Sequence, residues 1–154
     1  MKKTQKMGGL GFTLVEMMIV VVIVGLLASF ALPAFRRANT KSMNSRLMND
    51  YRIHAEAFKR FALETGAYPP DGGFGAMPTG MNEYLPATWL DSPVGGQWIW
   101  DNNDWGVTAA ISIRNGNVTS QQMTQLDSQI DDGDLATGMF RKINADRFSL
   151  VIEE

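Results

Sequence analysis

The chain has 154 residues, a formal net charge of −2, no cysteine and a single histidine, His54. This length suits one modest domain, and the missing cysteines exclude disulfides, thiolate metal ligands and thiol nucleophiles. With one histidine, zinc sites built on histidine pairs are excluded, and Ser-His-Asp chemistry would have to use His54.

Charge is distributed unevenly along the chain. The first eleven residues carry three lysines and no acid, and residues 36–65 carry seven basic residues against three acids. Residues 66–154 carry four basic residues against twelve acids, a net charge of −8. A region this acidic repels nucleic acid backbones, so no nucleic-acid partner is expected, and solubility is the simplest role for its charge.

A run of 24 residues from Phe12 to Phe35 contains one charged residue, Glu16. As a helix the run would be roughly 36 Å long at about 1.5 Å per residue, which spans a hydrocarbon core of about 30 Å. The lysines before it predict a cytoplasmic N-terminus, although Arg36 and Arg37 after it argue mildly for the opposite orientation.

Two alternatives use the same apolar run. A secretory signal peptide would be cut at the small-x-small site Ser29-Phe30-Ala31, and a plain signal anchor would stay uncut. Neither gives Glu16 a role. An acid in a spanning helix costs up to about 2.5–3.5 kcal/mol at the bilayer centre and less near its edge, so its presence needs an explanation. The retained acid therefore favours a third interpretation.

The start of the run resembles the prepilin peptidase site of the type IV pilin superfamily. A short basic leader is followed by Gly11-Phe12-Thr13-Leu14-Val15-Glu16, which places glycine before the expected cut, phenylalanine after it and glutamate fifth in the mature chain. Gly25 and Pro33 fall 14th and 22nd in the mature chain, where these residues are usual in the family. The resemblance covers residues 1–60.

This resemblance implies specific roles. Gly11 would be recognised by prepilin peptidase, which would remove residues 1–11, and Phe12 would become the N-methylated N-terminus. Glu16 would pair with the Phe12 amine of a neighbouring subunit, although the i, i+4 spacing also allows a pair within one chain. Pro33 removes a helix hydrogen bond and Gly25 weakens the helix, so the segment between them is expected to lose helical structure in a filament.

An amphipathic pattern predicts that the same helix continues to Thr65. Apolar residues recur every three or four positions on one face, and charged residues take the others. Gly66, followed by two prolines, is a fitting stop. His54 lies on or beside the apolar face, and no Asp, Cys or second His is spaced to make it a catalytic base or a metal ligand, so we expect a packed or hydrogen-bonded side chain.

Residues 66–96 are rich in glycine and proline, which predicts a long irregular connection packed by its own side chains. The stretch Thr65-Gly66-Ala67-Tyr68-Pro69 resembles the segment that follows the stem in pseudopilins. The candidates for packing are Tyr68, Phe74, Tyr84, Leu85, Trp89 and Leu90.

The remaining chain shows strand patterns with one short helix between them. Turns are expected at Asp101–Asp104 and Asn115-Gly116, and Ser120 is expected to cap a helix that ends near Gly133. The predicted strands are Gln97–Trp100, Trp105–Arg114 and Phe148–Ile152.

We therefore predict an α+β fold, in which a long N-terminal helix packs against a small antiparallel sheet of three or slightly more strands. The expected organisation is a leader at 1–11, a transmembrane and filament-core helix at 12–35, an amphipathic stem helix at 36–65 and a globular head at 66–154.

Four acids, Asp127, Asp131, Asp132 and Asp134, form the one cluster in the sequence that suggests a ligand. Calcium prefers several oxygen ligands from a loop, which makes Asp131, Asp132 and Asp134 candidate ligands. The spacing fails the EF-hand pattern, because Ser128 and Ile130 occupy two of its ligand positions. A helix end followed by a solvated turn is the favoured interpretation, and no other cofactor is expected.

No Gly-rich phosphate loop, nucleophile elbow or metal-binding histidine pair occurs, so an enzyme is not expected. The sequence favours a structural filament subunit. We expect a type II secretion pseudopilin, because this chain lacks the cysteines with which many type IV pilins close a C-terminal loop, and a type IV pilin of a surface pilus is the alternative within this class. A membrane-tethered binding module that uses residues 66–96 is the alternative of another class.

The expected place is the bacterial inner membrane, with the N-terminus cytoplasmic and the head outside the cytoplasm, and then a periplasmic or surface filament. The expected partners are prepilin peptidase, the inner-membrane assembly platform, the lipid bilayer and other pilin subunits, identical or mixed.

Overall fold

A computed structural model describes residues 11–154, and the leader residues 1–10, with their lysines, lie outside the described part. Helix α1 spans Leu14–Thr65, 52 residues, and runs through Gly25 and Pro33 without interruption. It ends where the sequence predicts: Gly66 has a φ of 86°, and its amide donates to the carbonyl of Ala62 at 2.8 Å. Only glycine adopts this left-handed conformation readily, which explains the stop.

The chain divides into two compact units, with the boundary between Asn39 and Thr40. The first unit contains the apolar half of α1, and its side chains from residue 11 to residue 39 are all exposed. The second unit, Thr40–Glu154, contains the rest of α1 together with the sheet. All but the first four residues of the predicted stem helix, 36–65, therefore lie in the same compact unit as the predicted head.

Four antiparallel strands form one sheet in the order β1-β2-β4-β3. Their bounds are Gln97–Asp104 for β1, Val107–Arg114 for β2, Phe140–Asn144 for β3 and Arg147–Glu153 for β4. Helix α2, Ser120–Ile130, connects β2 to β3, and a short 3-10 helix, Ala87–Leu90, lies in the long connection. The α+β prediction is confirmed: a long N-terminal helix is combined with a small antiparallel sheet.

Several local predictions need correction. Strand β1 continues to Asp104, so the turn falls at Trp105 and Gly106, which have φ values of 55° and 81°. The predicted turn at residues 101–104 was wrong, because Asp101 is a buried strand residue that pairs with Arg147. Strand β3 was missed, since Arg141 and Lys142 interrupt its apolar pattern.

The core forms where one face of α1 meets β1 and β2. Phe58 stacks on Trp100 with ring centroids 3.8 Å apart, and Tyr51 meets Trp98 edge-on at 4.8 Å. The Tyr51 hydroxyl donates to the carbonyl of Phe148 at 3.0 Å, which ties the helix to β4. Each such aromatic, fully buried, stabilises the fold by about 1.5–3 kcal/mol.

The long connection is packed, as predicted, through part of the predicted set of large side chains. Leu85 and Trp89 are buried, whereas Phe74 and Leu90 are exposed. The Trp89 indole donates to the carbonyl of Ala76 at 2.8 Å, which folds the connection back on itself. Tyr68 and Tyr84 pack partly buried against the same core, so four of the six predicted side chains serve packing.

Candidate assembly helix and acidic loop

The first half of α1 exposes apolar side chains around its whole circumference. Each large apolar residue from Leu14 to Phe35 is at least half exposed. This is the one helix in residues 11–154 that is long and apolar enough to cross a membrane, by length and composition. Since apolar side chains on all faces are stable only in lipid or among other helices, this segment needs an apolar environment that its own chain does not supply.

Glu16 takes part in a local hydrogen-bonded cap at the start of this helix. Its carboxylate accepts from the Thr13 amide and the Thr13 hydroxyl, both at 2.9 Å, and the Thr13 hydroxyl accepts from the Glu16 amide at 3.2 Å. This is a capping box, which satisfies two backbone N–H groups that helix starts leave free. The Thr-x-x-Glu spacing is its sequence signature, and sequence reasoning missed it.

The other residues of the predicted processing site lie in the open. Gly11 and Phe12 precede the helix, and the Phe12 side chain is 83% exposed. A Cβ placed on Gly11 or on Gly25 would meet no atom within 4 Å, and neither glycine has a positive φ. Contacts among the described residues therefore do not explain why either position holds a glycine and not a larger residue.

His54 is fully buried on the apolar face of α1, edge-on to Trp89 and Trp98 at centroid distances of 5.1 and 4.7 Å. Neither ring nitrogen has a hydrogen-bond partner among residues 11–154. Burial lowers the pKa of His54 to about 4, so the ring is neutral near pH 7. The prediction of a packed or hydrogen-bonded side chain is therefore met by packing, without a hydrogen bond from the described residues.

A buried polar layer on the sheet escaped sequence reasoning. Arg147 donates to Asp101 at 2.9 Å, Asp101 also accepts from the Ser112 hydroxyl, and Ser112 meets Ser149 at 2.6 Å. Burial raises the pKa of Asp101, while Ser112 and Arg147 act in the opposite direction. Losing one partner from such a buried pair leaves an uncompensated charge, so the layer fixes β1 against β4.

The acidic loop follows α2, and the structure brings together a different trio from the one predicted. Carboxylate oxygens of Asp127, Asp131 and Asp132 lie within 4.8 Å of one another. Asp134 instead accepts from the Ala136 amide at 3.0 Å, within its own turn. Burial raises the pKa of Asp127, and the charges of Asp132 and Asp131 raise it further.

The cap of α2 is shifted by one residue from the prediction. Thr119 is the N-cap, and its hydroxyl accepts from the amide of Gln122 at 3.1 Å. Ser120 is the first helical residue. Both residues are hydroxyl-bearing, so the sequence left the register of the cap open by one position.

Comparisons with known proteins agree with these features. The prokaryotic N-terminal methylation motif matches residues 10–32. A fimbrial protein, EcpC, of Eikenella corrodens is 33% identical over 82 residues, 53% of this chain and 51% of that protein. The type II secretion system core protein G of Vibrio cholerae is 38% identical over 80 residues, 51% of this chain and 53% of that protein. The chain thus spans about half the length of these curated relatives.

A solved structure shares the fold. The major type IV pilin PilA1 from Clostridium difficile superposes with a TM-score of 0.56 at 16% identity, over 75% of this chain and 97% of that one. The long apolar helix and the small antiparallel sheet define a pilin fold. The N-terminal motif and the curated relatives support the type IV pilin superfamily, and the solved structure shows that the chain shares the fold of a structural pilin.

Proposed function

We propose that this chain is a filament subunit, cut by prepilin peptidase after Gly11, N-methylated at Phe12, held in the inner membrane and then assembled through residues 12–35. The observation that carries the proposal is the apolar half of α1, in which every large side chain is at least half exposed and a single carboxylate lies near the start. Lipid covers such a surface in the free subunit, and other helices cover it in a filament. Its N-terminus would face the cytoplasm and its sheet the other side.

Glu16 would change partners in this process. In the uncut chain its carboxylate is held by Thr13. Cleavage creates an amine at Phe12, four residues away, so each subunit presents one cation and one anion at the same end of its helix. Inside a bundle of helices the carboxylate loses water, and a buried charge then needs an opposite charge close by. The amine of a neighbouring subunit supplies it.

Gly11 and Gly25, at which an added Cβ would meet no other atom, support the same proposal. Since neither Gly11 nor Gly25 is required by contacts within the described chain, their smallness would serve other proteins. Gly11 would fit the peptidase, and Gly25, with Pro33, would let the helix loosen when subunits pack. Protection from hydrogen exchange across residues 25–33 in assembled filaments would count against loosening.

Within the superfamily we infer a type II secretion pseudopilin rather than a surface pilin. The similarity to core protein G of Vibrio cholerae and the absence of cysteine support this choice, while the fimbrial relatives support the other. In a strain lacking the gene, loss of protein secretion with unchanged surface fibres under the electron microscope is the expected result. Loss of fibres with normal secretion would assign the chain to a surface pilus.

The decisive experiment separates the charge of Glu16 from its role in the cap. Glu16→Gln keeps a side chain that can complete the capping box but removes the charge, and Glu16→Ala removes both. Thr13→Ala breaks the cap and keeps the charge. We expect both Glu16 variants to insert into membranes and fail to assemble, as measured by fractionation and by recovery of sheared filaments, while Thr13→Ala assembles.

Assembly of Glu16→Gln at the wild-type level would show that the carboxylate serves only the cap. Full function of Glu16→Ala would favour the membrane-tethered binding module instead. Mass spectrometry of the mature N-terminus gives an independent check, since the proposal requires a methylated Phe12 and excludes both a chain that begins at Leu32 and an uncut anchor.

A further inference from the structure

Two adjacent arginines, Arg36 and Arg37, follow the exposed apolar half of α1 at the point where the hydrophobic run ends. From Leu14 to Phe35 the helix rises roughly 32 Å at about 1.5 Å per residue, close to the thickness of a hydrocarbon core of about 30 Å. When the start of this helix lies at one surface of a bilayer, both arginines therefore lie among the lipid head groups of the opposite leaflet.

The positive charge of this pair is not neutralised within the described part of the chain. Both side chains are exposed, and neither forms a salt bridge among residues 11–154. The first acid after Glu16 is Asp50, so no carboxylate lies within three helical turns of either arginine along the sequence of α1. A negatively charged partner must therefore come from outside the chain.

The helix face next to the arginines is apolar and carries a shallow groove. Arg36 and Arg37 line this groove together with Ser29, Leu32 and Pro33. Residues three and four apart share a helix face, so Leu32 and Pro33 lie one turn from the arginines, on the side of the hydrocarbon core. Two guanidinium groups thus stand at the end of an apolar groove, which matches a lipid with a charged head and an apolar chain.

The position of the pair is unusual for a membrane helix. Basic residues are enriched on the cytoplasmic side, and the proposed function gives that side to the lysines of the leader. Arg36 and Arg37 would then lie on the other side, where their charge opposes this orientation. Attraction to anionic lipid in that leaflet would offset the opposition and explain why the pair is tolerated.

We propose that Arg36 and Arg37 bind the phosphate of an anionic phospholipid in the leaflet away from the cytoplasm, with an acyl chain against Leu32 and Pro33. A guanidinium group suits this partner, because its planar fork donates two parallel hydrogen bonds to one phosphate. The bound lipid would set the depth of the free subunit in the bilayer. This inference rests on the membrane placement in the proposed function, and it does not depend on cleavage, methylation or assembly.

The test uses the full-length chain in detergent, titrated with phosphatidylglycerol or with phosphatidylcholine of the same acyl chains. Native mass spectrometry counts the lipids bound per chain and gives both affinities. A basic side chain near an anionic surface strengthens binding about fivefold, so the pair should favour phosphatidylglycerol by roughly 25-fold. Higher concentrations of ammonium acetate should reduce this preference, because salt screens exposed charges.

Three variants connect the preference to the pair. The double variant Arg36→Gln/Arg37→Gln should bind the two lipids with affinities within about threefold of each other. Arg36→Lys/Arg37→Lys keeps both charges and should keep a preference of at least about tenfold. Arg46→Gln is the matched control, because Arg46 is an exposed arginine of the same helix whose charge acts on Asp50, and it should behave like the wild type.

Equal affinity of the wild type for the two lipids would overturn the proposal, and so would an unchanged preference in the glutamine double variant. Loss of the preference in millimolar inorganic phosphate, at constant ionic strength, would also overturn it, since the arginines would then bind a free anion and not a lipid. Assembly of Glu16→Gln would contradict the proposed function without changing these results, because the lipid measurement needs only the helix in a micelle.

Discussion

The two halves of helix α1 differ in how far their large apolar side chains are exposed. From Leu14 to Phe35 the large apolar side chains are exposed, and Phe30 is 77% exposed. From Leu47 to Phe58 the large apolar side chains on the face toward the sheet are buried, and Phe58 is 0% exposed, whereas Ile53 on the other face is 38% exposed. One continuous helix therefore contains a segment whose partners lie in its own chain and a segment whose partners must come from elsewhere.

This difference separates two kinds of mutational effect. Substitutions in the buried half act on the free energy of unfolding, because the lost contacts lie within the chain. Substitutions in the exposed half act on insertion and assembly, because the chain itself makes few contacts there. A large loss of folding stability from a substitution in the exposed half, or none from one in the buried half, would contradict this division.

The largest expected effect comes from a matched pair of phenylalanines on α1. Phe58→Ala should lower the free energy of unfolding by about 3–5 kcal/mol, because it removes a fully buried ring stacked on Trp100 and leaves a cavity. Phe30→Ala, on the same helix, should change it by less than about 0.5 kcal/mol. Urea titration in detergent, followed by tryptophan fluorescence, measures both. Similar losses in the two variants would contradict the division.

The sequence was sufficient to predict the structure of the exposed half of α1, and less so to predict the sheet on which the buried half packs. The unbroken apolar run is a local signal, and it predicted the start of the helix to within two residues. The Thr-x-x-Glu spacing is also local, but it was not used. The sheet depends on contacts distant in sequence: Asp101 reads as a turn residue until Arg147, 46 positions later, is placed beside it. Local patterns do not report such pairing, and tertiary contacts override them.

The acidic loop shows the same limit at a candidate site. The acids stand out in the sequence, but which of them share one space depends on the burial of α2 against the core. Asp127 lies on the buried face of that helix, whereas Asp134 is used by its own turn. The cluster was predictable from composition, and its membership was not.

A second prediction concerns the buried half of α1 and its one histidine, His54. Burial holds the pKa of His54 at about 4, whereas the unfolded chain takes up this proton near pH 6.5. Between these values the unfolded state binds more protons than the folded state, so stability is lost as the pH falls from 6.5 to 4. The loss reaches roughly 3 kcal/mol.

His54→Leu is the variant that isolates this effect, because it fills a similar volume without a titratable group. The difference in unfolding free energy between wild type and His54→Leu should grow by roughly 3 kcal/mol from pH 7 to pH 4, in favour of the variant. Other titrating groups are common to both chains and cancel. Urea titrations at half-unit pH steps give the two curves, and a constant difference would show that the ring titrates normally.

The smallest expected effect tests the cap of α2, where two adjacent hydroxyl residues compete for one role. Thr119→Ala should lower the free energy of unfolding by about 1 kcal/mol, because the Gln122 amide loses its acceptor. Ser120→Ala is the natural control: its hydroxyl meets only the Lys142 ammonium, at 3.3 Å and in solvent, so a change within about 0.5 kcal/mol is expected. Thermal unfolding of both variants in the same buffer and detergent compares them under one condition. A larger loss in Ser120→Ala than in Thr119→Ala would return the cap to the residue that the sequence favoured, and would shift the start of α2 by one position.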